Sequence, residues 1–260
     1  MKYDTYISAY LNTIKQYIRL HTTKLAKSIL VAMFMPGLVS CGGGSGLAST
    51  STQSTTITFL SPAGTVASTT PLPLGIYGAN FSSGMSVNVT DKNGFSYIVT
   101  SLNVQSSTTI TVDVVIPIAP ADNYVNVTVI PTDNTLPVST VLGVATTART
   151  LAVDVQPILD ANCGTCHDGS PANGFLDMSS YAATASANPT GLIGIPSYNC
   201  SPRFRLIPGD PRRTSSVIID KIQAFVQPAC NGDPMPPVSS PPLSPTEIQT
   251  IIDWVAGGAY

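Results

Sequence analysis

The sequence predicts a multidomain protein in which an all-β sandwich is followed by an all-α domain. Residues 57–148 contain short β-rich runs separated by turn signals. Residues 149–260 contain helix-compatible segments joined by loops rich in proline and glycine, and they hold four of the five cysteines. A chain of 260 residues is long enough for one large domain or two small ones.

Residues 1–40 have the composition of an export signal. Five lysine or arginine side chains lie in the first 27 residues, before the apolar run SILVAMFMPGLVS. That run has the length of a signal-peptide core, and it is too short, and too broken by Pro36 and Gly37, for a membrane span. The prediction is therefore an exported chain, in which disulfides are permitted.

The end of this run, LVSCG, resembles the lipobox of bacterial lipoproteins, whose cysteine is acylated and becomes the new N-terminus. The resemblance implies a lipid anchor on Cys41, and an ordinary secretory signal with a free Cys41 is the alternative. Gly42, where aspartate would favour the inner membrane, favours the outer membrane by analogy with lipoprotein sorting. Residues 41–56 are rich in Gly, Ser and Thr and predict a flexible tether.

The chain from residue 41 onward is acidic, with seven Lys/Arg against thirteen Asp/Glu. This charge balance gives no electrostatic reason to expect nucleic-acid binding. The β-rich part, residues 57–148, has no cysteine or histidine and four acidic residues. We therefore expect it to be a spacer or docking module rather than a catalytic domain.

The β-rich runs are ITFL, SVNVT, FSYIVTSLNV, TTITVDVVI and YVNVTVI. Their spacing predicts a sandwich of about ninety residues, with a tight turn at Asp91–Gly94. The turn residues Ser61-Pro62, Gly78-Ala79-Asn80-Phe81 and Gly84 resemble those that open IPT/TIG domains. That resemblance implies an immunoglobulin-like fold for residues 57–148.

Helices are predicted in three C-terminal segments, at about 153–162, 214–227 and 246–256. Asp154 is the expected N-cap of the first helix, and Ser244 or Thr246 the expected cap of the last. The last helix carries an apolar stripe that should pack across the first helix, formed by Ile248, Ile251, Ile252 and Val255.

The stretch NCGTCHDGS contains Cys163, Cys166 and His167 in the spacing of a c-type haem attachment site. In such a site both thiols add to the haem vinyl groups, and the adjacent histidine binds the iron. A zinc site would normally bring a second close cysteine pair, and a redox dithiol would open a helix in a βαβ pattern. A simple disulfide between Cys163 and Cys166 is the remaining alternative.

An electron-transfer haem needs a second axial ligand, for which histidine and methionine are the usual residues. His21 lies in the export signal, so that His167 is the one histidine after it. Met235, in GDPMPP, is the preferred ligand because its flanking prolines make a rigid loop. Met178 is expected to pack in the core instead.

Residues 152–260 resemble the bacterial cytochrome c domains of the planctomycete-type and related membrane-associated families. The matching segments, in chain order, are VDVQPILDANCGTCH, GFLDMSSY, IPGDPRRTSSVIIDKI, DPMPP and LSPTEIQTIIDWVAGGAY. The resemblance implies an all-α cytochrome c domain with one covalent haem c, ligated by His167 and Met235. The pair Cys200 and Cys230 departs from that pattern.

Export makes a disulfide between Cys200 and Cys230 the default expectation, with unpaired thiols or an intermolecular bridge as alternatives. Trp254 is expected either at the haem edge or in the core. One or two of four clustered arginines are expected to bind the haem propionates, without a basis for choosing among Arg203, Arg205, Arg212 and Arg213.

The function predicted from the sequence is electron transfer by a lipid-anchored c-type cytochrome with redox proteins as partners and no catalytic residues. Membership of an oxidoreductase complex is left open. A haem enzyme, such as a peroxidase or a dehydrogenase subunit, is one alternative. A surface-binding lipoprotein that uses haem as a sensor is the other.

Overall fold

A computed structural model describes residues 53–133, 135–168, 175–185, 189–223 and 233–260. Residues 52–260 form one compact unit. The export signal, Cys41 and Cys230 lie outside the described residues, so the predictions for them stay predictions. Within the part of the chain that is described, no helix is both long enough and apolar enough to cross a membrane.

The N-terminal half is a β-sandwich of two four-stranded sheets, which confirms the predicted sandwich at this level. The first sheet has the strand order β1-β3-β6-β5 and the second the order β2-β8-β7-β4. The strands are β1 Thr56–Ser61, β2 Gly64–Val66, β3 Ser68–Ala79, β4 Ser86–Thr90, β5 Ile98–Ser106, β6 Thr109–Ile116, β7 Tyr124–Ile130 and β8 Val138–Ala145.

Alternation of apolar and polar residues directs one face of each central strand into the core. In β6 every second residue from Ile110 to Ile116 is buried, and β7 repeats the pattern from Val125 to Val129. Side chains alternate between the faces of a strand, so this period of two builds one apolar layer between the sheets. The predicted turn also forms: Asp91 Oδ1 accepts hydrogen bonds from the N–H groups of Asn93 and Phe95.

The structure places a strand, β3, where the sequence predicted none. Pro71 and Pro73 lie in it, and proline cannot donate a hydrogen bond to a neighbouring strand. The structure accommodates them because β1 pairs with β3 only from Gly75 to Ala79. The first half of β3 is therefore a sheet edge on the side of β1. A proline there loses no hydrogen bond to β1.

The C-terminal half, residues 149–260 (the helical region), combines short helices with irregular loops. The helices are α1 Gln156–Asn162, α2 Tyr181–Thr184, α3 Val217–Gln223 and α4 Pro245–Ala256, and a π-helical turn, Leu151–Val155, leads into α1. Isolated β-bridges join the intervening loops. The helices thus occupy only part of the region, and the finer prediction of an all-α cytochrome c domain is not shown.

The beginning of the first helix differs from the prediction. The helix starts at Leu151, after Thr150, so Asp154 is not its N-cap. Instead the Asp154 carboxylate accepts hydrogen bonds from the Thr150 N–H and hydroxyl. The i→i−5 bonds of the π-helical turn come directly before Pro157, whose ring would clash with the i−4 carbonyl of a regular helix.

Helix α4 begins as predicted, with Ser244 as its N-cap. The Ser244 hydroxyl accepts a hydrogen bond from the Glu247 N–H, and the Glu247 carboxylate accepts one from the Ser244 N–H. Its apolar stripe is largely buried, with Ile251 and Val255 fully so. The Leu151 N–H donates to the Tyr260 carbonyl, which joins the beginning of the π-helical turn to the chain end after α4.

The sandwich and the helical region meet along a seam, which we define as the contact of α4 with Asn123, Gly143 and Thr146. The Asp253 carboxylate is buried there and accepts hydrogen bonds from the side chain of Asn123 and the backbone N–H of Thr146. A Cβ on Gly143 would lie 2.3 Å from the carbonyl oxygen of Ala256. Each half keeps its own apolar core.

Candidate functional site

The motif Cys163–His167 forms a tight turn at the C-terminal end of α1. The N–H groups of Cys166 and His167 both donate to the Cys163 carbonyl, at 3.1 and 3.0 Å. This turn brings the two cysteines and the histidine to one end of the helix. Both thiols are free, and Cys166 is exposed whereas Cys163 is half-buried. Burial raises the pKa of the Cys163 thiol to about 11, and the neighbouring Cys166 adds to the shift.

His167 is buried, and its ring is oriented by one hydrogen bond. Its Nδ1 lies 3.2 Å from the carbonyl oxygen of Leu176. A carbonyl oxygen only accepts, so Nδ1 carries the proton and donates it. In the neutral ring, this bond leaves the other nitrogen, Nε2, with the lone pair that can bind a metal.

The segment that supplies this carbonyl also holds the backbone of His167. The Met178 N–H donates to the His167 carbonyl at 2.8 Å. Met178 is buried in the core of the helical region, as predicted. Met85 lies in the other core, inside the sandwich.

A cavity of about 470 Å³ lies beside the motif, and the predicted residues converge on it. Its lining includes Cys163, Cys166 and His167 together with both Met178 and Met235. Much of the remaining lining is apolar, with contributions from Leu159, Leu176, Leu192, Val217, Ile218, Ile222 and Ile251. A concave, mostly apolar site of this size is typical of small-molecule and cofactor binding.

Met235 reaches the cavity from the loop between α3 and α4. Its N–H donates to the carbonyl of Lys221 in α3 at 3.0 Å. The ammonium group of Lys221 in turn donates to the carbonyl of Asp233 at 2.8 Å. These two bonds tie the loop to α3 at Met235 and at Asp233, two residues before it. Burial lowers the pKa of Lys221.

Among the four clustered arginines, Arg205 alone lines this cavity. Arg203 and Arg213 form ion pairs with the buried carboxylate of Asp220, and Arg212 pairs with Asp210. Arg205 is buried and donates to three backbone carbonyls. Burial lowers the pKa of its guanidinium group. Its contact with those carbonyls was not predicted.

Two further predictions concern Cys200 and Trp254. Cys200 is disulfide-bonded, while the predicted partner Cys230 lies outside the described residues, so the pairing stays a prediction. Trp254 packs in the core of the helical region and donates its indole N–H to the Tyr260 carbonyl. It does not line the cavity, so the packing alternative is the one observed. Within the described ranges, no cluster of three or more His, Cys, Asp or Glu side chains is arranged to hold a metal ion.

Comparisons with known proteins add little to this geometry. No protein-family model and no curated protein matches the chain. Among solved structures, the filamin domain of Lin-41 is similar, with 9% identity and a TM-score of 0.25 over 32% of this chain and 83% of that one. A similarity this low supports no inference about fold or function.

Proposed function

We propose that this protein is an electron-transfer c-type cytochrome with one covalent haem c, held by Cys163, Cys166, His167 and Met235. The observation that carries the proposal is the shared cavity: Met235 follows the motif by 68 residues in the sequence, yet it lines the same cavity. When bound, such a haem supplies one-electron chemistry at its iron.

The described residues suit this group in three ways. The two thiols are free to form thioether bonds. The bond to Leu176 places the proton of a neutral His167 ring on Nδ1 and so leaves Nε2 to bind a metal, and Met235 contributes a thioether from a loop tied to α3. The largely apolar lining suits the face of a porphyrin.

If His167 and Met235 both held the iron, they would leave no coordination position for a substrate, and this would favour electron transfer over catalysis or sensing. Redox proteins are then the expected partners, through small transient interfaces. A lipid anchor at Cys41 would hold the protein at the outer membrane. The sandwich, in an immunoglobulin-like arrangement, would carry the helical region and offer a docking surface.

The covalent link is tested by producing the chain in a host that matures c-type cytochromes and staining denatured gels for haem. The wild type should stain, whereas Cys163→Ala and Cys166→Ala should each lose most of the stain. Cys200→Ala is the control: it breaks the disulfide at Cys200 but leaves both motif thiols in place, so the protein that is recovered should still stain. Full staining of both motif variants, or an unstained wild type, would refute covalent attachment.

The second ligand is tested by the near-infrared charge-transfer band of oxidised, methionine-ligated haem. Met235→Ala should remove this band and lower the midpoint potential, because methionine ligation raises it. Met178→Leu and Met85→Leu should keep the band. A wild type that lacks the band and binds carbon monoxide rapidly would indicate an open iron, and hence an enzyme or a sensor.

A further inference from the structure

We propose that Arg205 is a positioning residue for His167. Together with Gln156 it fixes residues 175–178, here called the proximal segment, whose Leu176 carbonyl orients the imidazole. The inference rests on the proposed function in one respect, that His167 is the iron ligand. It goes beyond that function in assigning the orientation of this ligand to two residues that do not touch it.

The proximal segment needs such support because it has no regular secondary structure of its own at residues 176–178. A carbonyl in an irregular segment is not held by a ladder of helix or strand hydrogen bonds. Its position relative to the imidazole therefore depends on what ties the segment to the rest of the molecule. If the Leu176 carbonyl moves, the bond to His167 Nδ1 lengthens and the ring is free to turn.

Arg205 ties the beginning of the segment. One terminal nitrogen, Nη2, donates to the Phe175 carbonyl at 2.9 Å, next to Leu176. The other, Nη1, donates to the carbonyls of Pro189 and Gly191 at 2.7 and 2.6 Å. Charge-assisted hydrogen bonds of this kind are stronger than neutral ones. The guanidinium group thus joins the proximal segment to a second loop, residues 189–191.

The two loops are also joined backbone to backbone. The Asp177 N–H donates to the Thr190 carbonyl at 2.8 Å, and Thr190 lies between the two carbonyls that bind Arg205 Nη1. The second loop therefore receives donors from Arg205 at two residues and from the proximal segment at the residue between them. A planar, rigid guanidinium fork suits this arrangement, whereas the single ammonium group of lysine does not reproduce its geometry.

Gln156 ties the other end of the segment to α1. Its amide Nε2 donates to the Met178 carbonyl at 3.0 Å and to the Asp160 carboxylate at 2.7 Å. Gln156 is 5% exposed, so this amide is shielded from water that would compete for its bonds. Since α1 leads directly into the Cys163–His167 turn, Gln156 couples the helix that carries the histidine to the segment that orients it.

The test is made on the reduced, haem-loaded protein with the variants Arg205→Lys and Gln156→Leu. Solvent exchange of the His167 Nδ1 proton is measured by NMR, together with the midpoint potential. In both variants exchange should accelerate by about tenfold or more, as expected for the loss of one hydrogen bond. The potential should rise, because a weaker bond at Nδ1 makes the imidazole a less basic ligand.

Gln249→Leu is the matched control, since Gln249 also donates two part-buried hydrogen bonds but at the seam. It should lower stability while leaving His167 exchange and potential as in the wild type. Unchanged exchange and potential in both Gln156→Leu and Arg205→Lys would overturn the proposal. The proposal would also be overturned if Arg205→Lys changed only the pH dependence of the midpoint potential and left exchange of the Nδ1 proton unaffected. That result would identify Arg205 as a propionate ligand.

A wild type that carries no haem would refute the proposed function without deciding the orientation of His167. The same variants are then compared as haem-free chains by ¹⁵N NMR of the imidazole, with His21→Gln used to assign the two histidines. The wild type should hold the Nδ1–H tautomer, and both variants should shift towards the Nε2–H form that free histidine favours. Equal tautomer ratios in all three chains would overturn the positioning role.

Discussion

Replacing Asp253 with alanine should loosen the seam between the sandwich and the helical region. The Asp253 side chain is 2% exposed, and its Oδ1 accepts three hydrogen bonds. The donors are the Thr146 N–H at 2.9 Å and the side-chain amides of Asn123 and Gln249, each at 3.2 Å. A methyl group in place of the carboxylate removes all three.

The loss is smaller than three full hydrogen bonds because two donors keep another acceptor. Asn123 also donates to the Val144 carbonyl, and Gln249 also donates to Asn123 Oδ1, whereas the Thr146 N–H gives up its bond. One unsatisfied donor costs about 1–3 kcal/mol and each weakened bond about 0.5 kcal/mol. The expected loss of unfolding free energy is therefore about 2–4 kcal/mol, or about 5–15 °C in Tm for a chain of this size.

Urea unfolding of the purified protein measures this loss, followed by far-UV circular dichroism and by the fluorescence of Trp254, the single tryptophan of the chain. Both signals should move to lower urea together, because the seam joins the two cores. Asp253→Asn is the control: it keeps an acceptor oxygen and should cost about 1 kcal/mol. Equal losses in the two variants, or an alanine variant as stable as wild type, would contradict the reasoning.

Three further outcomes are expected. Gly143→Ala should lower the unfolding free energy by about 1–3 kcal/mol in the same urea assay, since its Cβ would lie 2.3 Å from the backbone carbonyl oxygen of Ala256 in α4. An unchanged urea midpoint would show that the seam accommodates the added methyl group and would contradict this prediction. The hydrogen bond from the Ser244 N–H lowers the pKa of Glu247, so its stabilisation is present above the ordinary glutamate pKa and is lost as pH falls through the lowered value; Glu247→Gln should flatten the acid side of the stability–pH profile, and an identical profile would count against this. In the haem-free chain at pH 8, iodoacetamide should modify exposed Cys166 faster than Cys163, whose thiol pKa is about 11, and peptide mapping showing equal rates would contradict the burial argument.

The central strands with one buried face could be predicted from their alternation, whereas the last strand of the sandwich, which is buried on both faces at its end, could not. Thr109–Ile116 and Tyr124–Ile130 alternate cleanly, and their period of two identified them. Val138–Ala145 does not alternate, because its last four residues are all buried. The seam explains this, since α4 covers the face of the strand that would otherwise meet solvent. Two-sided burial removes the polar half of the pattern.

The candidate site could also be predicted only in part: its side-chain motif was predicted, and its hydrogen bonds to the backbone were not. Cys163, Cys166 and His167 form a local motif of five residues that predicts haem attachment, and elimination of the other candidate ligands favours Met235. Neither the hydrogen bonds of Arg205 nor the bond between the Leu176 carbonyl and His167 had a signal in the sequence. Each bond involves a backbone carbonyl in an irregular loop, and residues of every type have a backbone carbonyl.

The position of α4 explains why the two halves cannot be treated as separate parts. On one face Ile251 lines the cavity, and on another Asp253 binds the sandwich. The sequence pattern separates an apolar stripe from a polar face, but it does not tell whether the polar face meets water or a buried set of donors. Here the polar face meets donors from the sandwich, so one helix serves as a wall of the cavity and as the attachment of the sandwich. The buried Asp253 and the close approach at Gly143 thus join the sandwich to a helix that also lines the cavity.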